Sequence, residues 1–506
     1  MRCIALGQAW QDAGEQKSEI RERPPVLFIC AGIPETLAEL IQSEGFGLIR
    51  IEAEPGTPED IRQTLEVLSG FRSHPSSFSP WLVLDGYHFD LEYQRAVRKA
   101  GCKLLLIDDY NHQAEYECDI LLNQNINAFD LNYKINPDAR LLLGTGYSLL
   151  RREFRALEQK GRVCPSIGKN ILVTLGGADP DNVTLKVIEA LRLINRSDLH
   201  AEIVVGPANP HLNSLRQAVA ASAVSCELIS AVRDMSGLMR RADLAVSAGG
   251  STCWELCCLG VPFMTLVLAE NQRGLAEGLN RRGIAGNAGE GAQIGSQEIA
   301  ARLTALLDDP AERELMSIAG RALIDGFGVH RVLCRPAKDA GLDLFAGRLT
   351  LRCAGEHDLE RLWLWANDPA VRANSYQPEP IPFAEHQKWF KKKLGTPDSL
   401  ILILELDGTA AGQVRYDRVD QEAAEIDFSI DAKFRGLGLG DRLIKLSLDK
   451  AAKRLGVRTL RALVMERNKP SSRVFETAGF EQQGFEMRAG VRSVRFEKGF
   501  IITSGE

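Results

Sequence analysis

No stretch of this 506-residue chain holds an apolar run approaching the length that crosses a bilayer, so no membrane partner is expected. No long basic run offsets the formal net charge of −6, which argues against nucleic acid as a partner. The first residues, Met1-Arg-Cys-Ile-Ala-Leu-Gly-Gln-Ala-Trp10, are too short for a secretory leader and are soon broken by Gln11, Asp12 and Glu15. The 11 cysteines are scattered, which suits reduced thiols better than a disulfide frame, and a cytoplasmic location is expected. Cys253, Cys257 and Cys258 cluster, but on an apolar helical stretch they read as small core residues, and no metal is expected. There is no short repeat and no low-complexity tract. What remains is an ordinary globular composition, 45% apolar and 25% charged, in a chain too long for one core.

The first half alternates strand and helix patterns, which predicts parallel sheets with helical crossovers. Expected strands cover residues 26–30, 48–52, 81–85, 103–108 and 120–123, with a helix over 2–13. After a break at Cys164-Pro165-Ser166 the alternation restarts, with strands at 170–175, 201–205, 226–229, 244–247 and 263–267. The expected fold class is therefore α/β, two Rossmann-like domains (1–160 and 161–330) in a GT-B-like arrangement. A linker is expected at 331–347 and a third, α+β domain at 348–506.

Three stretches of the second α/β unit carry chemistry. Ile171 to Pro180 is a buried strand ending in the pair Gly176-Gly177, at the carboxyl end where open α/β sheets place ligands. Ser247-Ala-Gly-Gly-Ser-Thr-Cys-Trp-Glu255 is a strand-to-helix turn whose N–H groups suit a diphosphate. Glu255 lies one turn into that helix, placed to accept both hydroxyl protons of a ribose. Glu270-Asn271-Gln272 follows the next strand and is expected to face the same cleft. Read alone, each has a plainer alternative, a tight turn or a helix-dipole partner; together they point to a nucleotide sugar.

With Leu84-Asp-Gly-Tyr87, Ile107-Asp-Asp-Tyr110, Asn123-Gln-Asn125 and Leu143 to Phe154, these stretches make residues 1 to about 330 resemble the UDP-sugar hydrolase of pseudaminic acid biosynthesis. The resemblance implies that water cleaves the anomeric C–O bond of UDP-2,4-diacetamido-2,4,6-trideoxy-β-L-altropyranose, without a metal. It also implies that Gly249, Gly250, Ser251, Thr252, Glu255, Asn271 and Gln272, beside Gly176 and Gly177, hold UDP, and that Tyr87 faces the sugar. In that family a first strand and a Gly-x-Gly-His loop, whose His is the base, precede the Met-Arg-Cys segment. The expectation is that the true protein extends upstream of Met1 and that the chain as written hydrolyses weakly. His88 and His112 are the substitute bases to weigh, with a plain loop or surface role as the alternative.

The third domain is marked by Arg435-Gly-Leu-Gly-Leu-Gly440, between an alternating strand (425–430) and a helix (441–455). Glycines let the main chain approach a pyrophosphate, and the helix end points N–H groups at it. With Asn468-Lys-Pro-Ser-Ser-Arg-Val-Phe-Glu-Thr-Ala-Gly-Phe480 beyond, this resembles the acetyl-CoA loop of GNAT N-acyltransferases. First strand 349–352 and a hairpin, 400–406 with 412–416 around Asp407-Gly408, fit the same fold. The resemblance implies acetyl-CoA as cosubstrate, held by Phe428, Ile430, Arg435, Gly436, Leu437, Gly438, Leu439, Gly440 and Asn468. Amine acetylation needs a base. Glu425, Asp427 and Ser429 share one strand face, and the resemblance favours Glu425; a solvated edge carboxylate is the alternative. The Tyr that usually protonates the thiolate is replaced by Phe475, and Tyr376 and Tyr416 are not at the matching place, so no general acid is assigned and the expected proton source for the thiolate is solvent, Ser471 or Ser472. On the acceptor side stand Trp365, Asn367, Arg372 and His386, in features shared by the pseudaminic acid pathway acetyltransferase and ribosomal-protein acetyltransferases.

In that pathway the acetyltransferase makes the hydrolase's substrate, and a tether between consecutive enzymes raises the local concentration to about mM. The fusion favours a bifunctional enzyme that N-acetylates a UDP-4-amino sugar and then hydrolyses the product, its partners being a UDP-sugar and other pathway enzymes. Alternatives are a GT-B glycosyltransferase or an inactive UDP-sugar-binding module in the first half, and a ribosomal-protein-type acetyltransferase in the third domain.

Overall fold

The structure is a computed structural model that describes residues 1–15, 25–72, 79–155, 162–206, 208–230, 232 and 234–500. The chain divides into two compact units, Met1–Leu344 and Phe345–Glu506.

The first unit begins with α1 (Arg2–Gln11), then β1 (Leu27–Cys30), α2 (Glu35–Ser43), β2 (Gly47–Arg50), α3 (Pro58–Arg72), β3 (Trp81–Asp85), α4 (Leu91–Lys99), β4 (Lys103–Ile107), β5 (Ile120–Asn123) and β6 (Arg140–Leu143). All these strands pair in parallel, but in two sheets, β1-β2 and β3-β4-β5-β6. The amino terminus of α1 lies at the carboxyl ends of β3 and β4, where Arg2 reaches Asp85 and Asp109. Leu104–Ile107 of β4 and Ile120–Leu122 of β5 are apolar runs buried on both faces, as parallel central strands require.

A second parallel sheet follows: β7 (Asn170–Thr174), α5 (Val183–Ile194), β8 (His200–Val204), α6 (Leu212–Ala220), β9 (Ser225–Ile229), α7 (Met235–Arg241), β10 (Leu244–Ala248), α8 (Thr252–Leu259), β11 (Phe263–Val267), α9 (Glu270–Arg281) and β12 (Gly286–Glu290). Its order is β9-β8-β7-β10-β11-β12. The chain runs outward from β7 in one direction and returns to lay β10 on its other side, so the order reverses between β7 and β10. Ligands of open α/β sheets bind at that crevice.

α10 (Ser296–Asp308), α11 (Pro310–Leu323) and α12 (Gly328–Asp339) complete the unit. The stretch 331–347, read from the sequence as a linker, holds most of α12 and the two-residue strand Leu342–Asp343, which pairs with Gly14–Glu15. Val329, Val332, Leu333, Pro336 and Ala337 make a buried helical stripe on a helix that packs against α1. That burial outweighs the helix-breaking tendency of Pro336.

The second unit is an α+β fold. Its elements are β13 (Leu349–Cys353), α13 (Leu359–Ala366), α14 (Pro369–Ala373), α15 (Phe383–Leu394), β14 (Ser399–Leu406), β15 (Thr409–Arg418), β16 (Ala423–Ile430), α16 (Leu439–Leu455), β17 (Thr459–Met465), α17 (Lys469–Thr477), β18 (Glu481–Arg488) and β19 (Val491–Gly499). The seven-stranded order is β13-β14-β15-β16-β17-β19-β18. Asp407 (φ +49°) and Gly408 (φ +76°) are both left-handed, the geometry of a two-residue hairpin turn. β16 and β17 are parallel but pair only from Ala423↔Thr459 to Glu425↔Arg461. Beyond Glu425 each strand keeps its outer neighbour, β15 or β19, while the inner edges part into a V-shaped gap.

Candidate functional site

Both glycine segments of the second sheet meet at the β7/β10 crevice. Gly176 has φ +87°, and side-chain positions at Gly176, Gly177 and Gly250 face nothing within 4 Å, so the carboxyl ends of β7 and β10 border open space. A Cβ at Gly249 would lie 3.0 Å from the Gln272 carbonyl oxygen, so the turn after β10 packs directly on the start of α9. Ser251 caps α8 with no side-chain hydrogen bond, while the Cys253 and Trp254 N–H groups donate to the Gly250 and Ser251 carbonyls at 3.0 Å. Thr252 is half-buried, Ser251 and Asn271 are exposed, and Gln272 accepts a hydrogen bond from the Leu268 N–H at 3.0 Å.

Glu255 is the most perturbed carboxyl group here. Burial pushes it up to about 7, partly offset by the Arg151 guanidinium and reinforced by Glu153. Arg151 stands 3.0 Å from Glu153 and 3.8 Å from Glu255, linking the segment after β6 to α8. Nothing in the sequence signals this pairing across about a hundred residues.

In the first sheet Tyr87 and Tyr110 are exposed at the carboxyl ends of β3 and β4, with ring centroids 4.9 Å apart. The Tyr87 hydroxyl donates to Asp109 at 2.7 Å, and Asp109 also takes two 2.8 Å bonds from Arg2. Asn125 Nδ2 adds a 3.1 Å bond to the same carboxylate. His112 donates or accepts at both ring nitrogens: Nδ1 lies 2.5 Å from the buried Asp108, and Nε2 faces the Gln113 amide nitrogen at 3.1 Å. The Gln113 amide also donates to the Phe89 carbonyl, so it donates to Nε2 as well, and the His112 lone pair is taken. His88 is exposed.

In the second unit, Gly436 (φ +80°) and Gly438 (φ +70°) turn the loop after β16 into a left-handed path that disfavours a side chain. Leu437 between them and Leu439 after them are buried and anchor the loop in the core. α16 has no side-chain cap at its amino terminus, where Gly438 is the cap residue. A Cβ at Gly440 would sit 3.1 Å from Val474 and 3.4 Å from Phe428. Arg435 is ion-paired with Asp368 at 2.8 Å and donates to the Ile430 carbonyl at 3.0 Å. Asn468 caps α17 through the Ser471 N–H, and Phe428 meets Phe475 edge-on at 5.6 Å.

Glu425 closes the paired part of β16, and Arg488 from β18 holds it at 2.5 Å. On the acceptor side, the Trp365 indole donates to Asp431 at 2.6 Å, and Asn367 clamps the main chain of Ile381. Arg372 donates to the Gln377 carbonyl at 3.0 Å, while His386 is buried beside Trp389 and Phe390, with burial pushing its pKa down. These hydrogen bonds and ring contacts tie Trp365, Asn367 and His386 into the domain, while the Arg372 bond lies at its surface. Among the described residues no group of three or more His, Cys, Asp or Glu could hold a metal. No described helix is long and apolar enough to cross a membrane.

A sugar-nucleotide fold joined to an acyltransferase fold is the class these two units define. Residues 170–310 match the glycosyltransferase family 28 C-terminal domain, and residues 348–481 match the acetyltransferase (GNAT) domain. The chain is 26% identical over 412 residues to an uncharacterized protein of Methanocaldococcus jannaschii, covering 79% of this chain and 81% of that one. It is 25% identical over 196 residues to the pseudaminic acid cytidylyltransferase and UDP-2,4-diacetamido-2,4,6-trideoxy-beta-L-altropyranose hydrolase of Helicobacter pylori, 38% of this chain and 34% of that one. It is 31% identical over 144 residues to a putative phosphinothricin acetyltransferase of Bacillus subtilis, 27% of this chain and 86% of that one. Through its second unit, the chain belongs to the GNAT acetyltransferases. Its first unit is homologous to the pseudaminic acid UDP-sugar hydrolase, and the protein is a sugar-nucleotide biosynthesis relative carrying a GNAT domain. The GNAT family implies acetyl-CoA, and the uncapped α16, the glycine loop and the open edges of β16 and β17 fit it.

Proposed function

We propose that the chain N-acetylates a UDP-4-amino-4,6-dideoxy-N-acetyl-β-L-altrosamine and hydrolyses the resulting UDP-2,4-diacetamido-2,4,6-trideoxy-β-L-altropyranose to UDP and free sugar. The observation that carries this reading is one chain holding both a switch-point crevice of nucleotide-sugar type and an open acyl-CoA cradle. Residues 1–160 serve the sugar, 161–330 the UDP and 348–506 the acetyl transfer.

In the first unit the amino terminus of α8 takes the diphosphate, Glu255 accepts the ribose hydroxyl protons, Gly176, Gly177 and Gly250 keep the crevice open, and Gly249 lets the turn pack against α9. Arg151 favours the charged form of Glu255 that does the accepting. Tyr87, fixed by Asp109, presents its ring to the sugar.

In the second unit, Gly436 to Gly440 and the first turn of α16 hold the pyrophosphate, while the free edge of β16 pairs with the pantetheine arm. Acetyl-CoA supplies the activated acetyl group. Glu425 takes the proton of the incoming ammonium, which requires it to exchange Arg488 for the amine.

The test is incubation with acetyl-CoA and the UDP-4-amino sugar, with products resolved by mass spectrometry. Acetylated sugar with free UDP supports both steps. Acetylated UDP-sugar without UDP reduces the first unit to a binding module. Acetylation of a peptide amino terminus but not of the sugar rejects the sugar reading of the second unit.

A further inference from the structure

Phe475 has no proton to give a departing thiolate, and the described part of the second unit has two tyrosines, Tyr376 and Tyr416. Tyr416 is fully buried, and its hydroxyl is engaged by Ser447 on α16 at 2.6 Å. Tyr376 stands elsewhere. It follows α14 and is half-buried, and its hydroxyl donates to Ser493 Oγ at 2.8 Å. Ser493 pairs with Met465, the last residue of β17, so this contact marks the β17 side of the gap. The Arg488 guanidinium lies over the Tyr376 ring, 5.4 Å from its centroid, and the same guanidinium holds Glu425, the last paired residue of β16. Tyr376 thus lies against the β18–β19 hairpin, next to the guanidinium that reaches across to Glu425, where β16 and β17 begin to part.

We propose that Tyr376 is the proton donor to the thiolate leaving group, with Ser493 and Arg488 as its positioning residues. The proposal rests on the acetyl-transfer reading of the second unit, not on which amine is acetylated. In the step, the amine nitrogen bonds to the acetyl carbon and the C–S bond breaks with its electron pair left on sulfur. Sulfur takes the Tyr376 proton, while the nitrogen's surplus protons leave through Glu425 and solvent. The phenolate is held by the Ser493 hydroxyl, which turns from acceptor to donor, and by the Arg488 charge over the ring, until solvent returns its proton. Burial pushes the Tyr376 hydroxyl above its ordinary value, with Glu425 and Glu486 acting in the same direction against Arg488 and Ser493. The phenol therefore holds its proton at neutral pH.

Tyr376→Phe keeps the ring and its cation contact, so circular dichroism should match the parent. The expected kcat for CoA release from acetyl-CoA falls about a hundredfold or more, while KM for acetyl-CoA changes little. The rate is measured with the UDP-4-amino sugar and, separately, with hydroxylamine, a small amine that does not depend on sugar recognition. With p-nitrophenyl acetate, whose leaving group needs no proton, the same variant keeps the parental rate. A readout apart from turnover is the ultraviolet titration of the thiol of bound CoA. Losing a donor to the thiolate raises that midpoint by about one pH unit in Tyr376→Phe, and Ser493→Ala shifts it the same way by less. An unchanged kcat, an equal loss with p-nitrophenyl acetate, or an unmoved thiol titration each overturns the proposal. Parental activity on hydroxylamine but not on the sugar rejects the acceptor reading alone.

Discussion

Replacing Glu255 with glutamine should make the first unit more stable at pH 8 than the parent, and no more stable at pH 4. Glu255 rises from 4.5 to about 7 because burial penalises its charged form. The folded state therefore binds a proton that the unfolded state has already released between those two values. With the unfolded state holding fewer protons there, stability falls as pH rises from about 4.5 to about 7 and is flat beyond. The loss is the difference of about 2.5 in pKa multiplied by 1.36, or roughly 3 kcal/mol, an upper figure because the carboxylate keeps some solvent. The neutral amide of Glu255→Gln would carry no such penalty. The assay is hydrogen exchange of the α8 amides in both proteins from pH 5 to pH 8, each corrected for intrinsic exchange. The variant should gain protection that grows with pH while its affinity for UDP drops by tenfold or more. A stability difference that stays constant across this range would refute the reasoning. So would a gain in protection accompanied by unchanged UDP binding, since the ionised group would then serve no ligand.

Other outcomes follow from the same geometry. Gly440→Val should abolish CoA binding by calorimetry and cost about 1–3 kcal/mol, because its side chain would press on Val474 and Phe428. Asp108→Ala should destabilise the first unit by about 3 kcal/mol or more in urea, since it strands the hydroxyls of Tyr116 and Tyr133, His112 and two main-chain N–H groups. Arg488→Met removes a partly exposed ion pair with Glu425 and the cation contact with the Tyr376 ring, so its melting shift should correspond to no more than about 1–2 kcal/mol. The same variant should raise the acetyl-transfer KM for the amine little, because the amine itself displaces Arg488 from Glu425.

The elements legible in the sequence are those whose burial is continuous. Ile120–Asn123 and Phe263–Val267 read at their observed limits because every residue is apolar or buried and turn residues bound them. Strand Gly286–Glu290 carries no such signal, since Gly-Asn-Ala-Gly-Glu lacks the branched residues that mark a strand; it is formed by pairing with Met264, Thr265 and Val267 of the neighbouring strand. The closing hairpin of the second unit was hidden for another reason: Glu481–Arg488 is almost wholly exposed and carries no apolar alternation. α12 was masked by Pro336, whose local penalty the buried stripe overcomes.

The candidate sites divide in the same way. Glycine turns are local, so Gly176, Gly249 and Gly436 to Gly440 could be named from neighbours in sequence. Arg151 beside Glu255, Arg488 on Glu425 and Tyr376 on Ser493 join residues far apart in the chain, and only the fold brings them together. Arg435 shows the limit of a motif: the loop geometry follows from its glycines, but its side chain turns to Asp368.

The most direct measurement is calorimetric titration of the whole chain with UDP and, separately, with CoA. Two independent sites predict one equivalent of each ligand, with neither titration displaced by saturation with the other. Heat from CoA alone would leave the first unit without its nucleotide, and heat from neither would contradict the account as a whole.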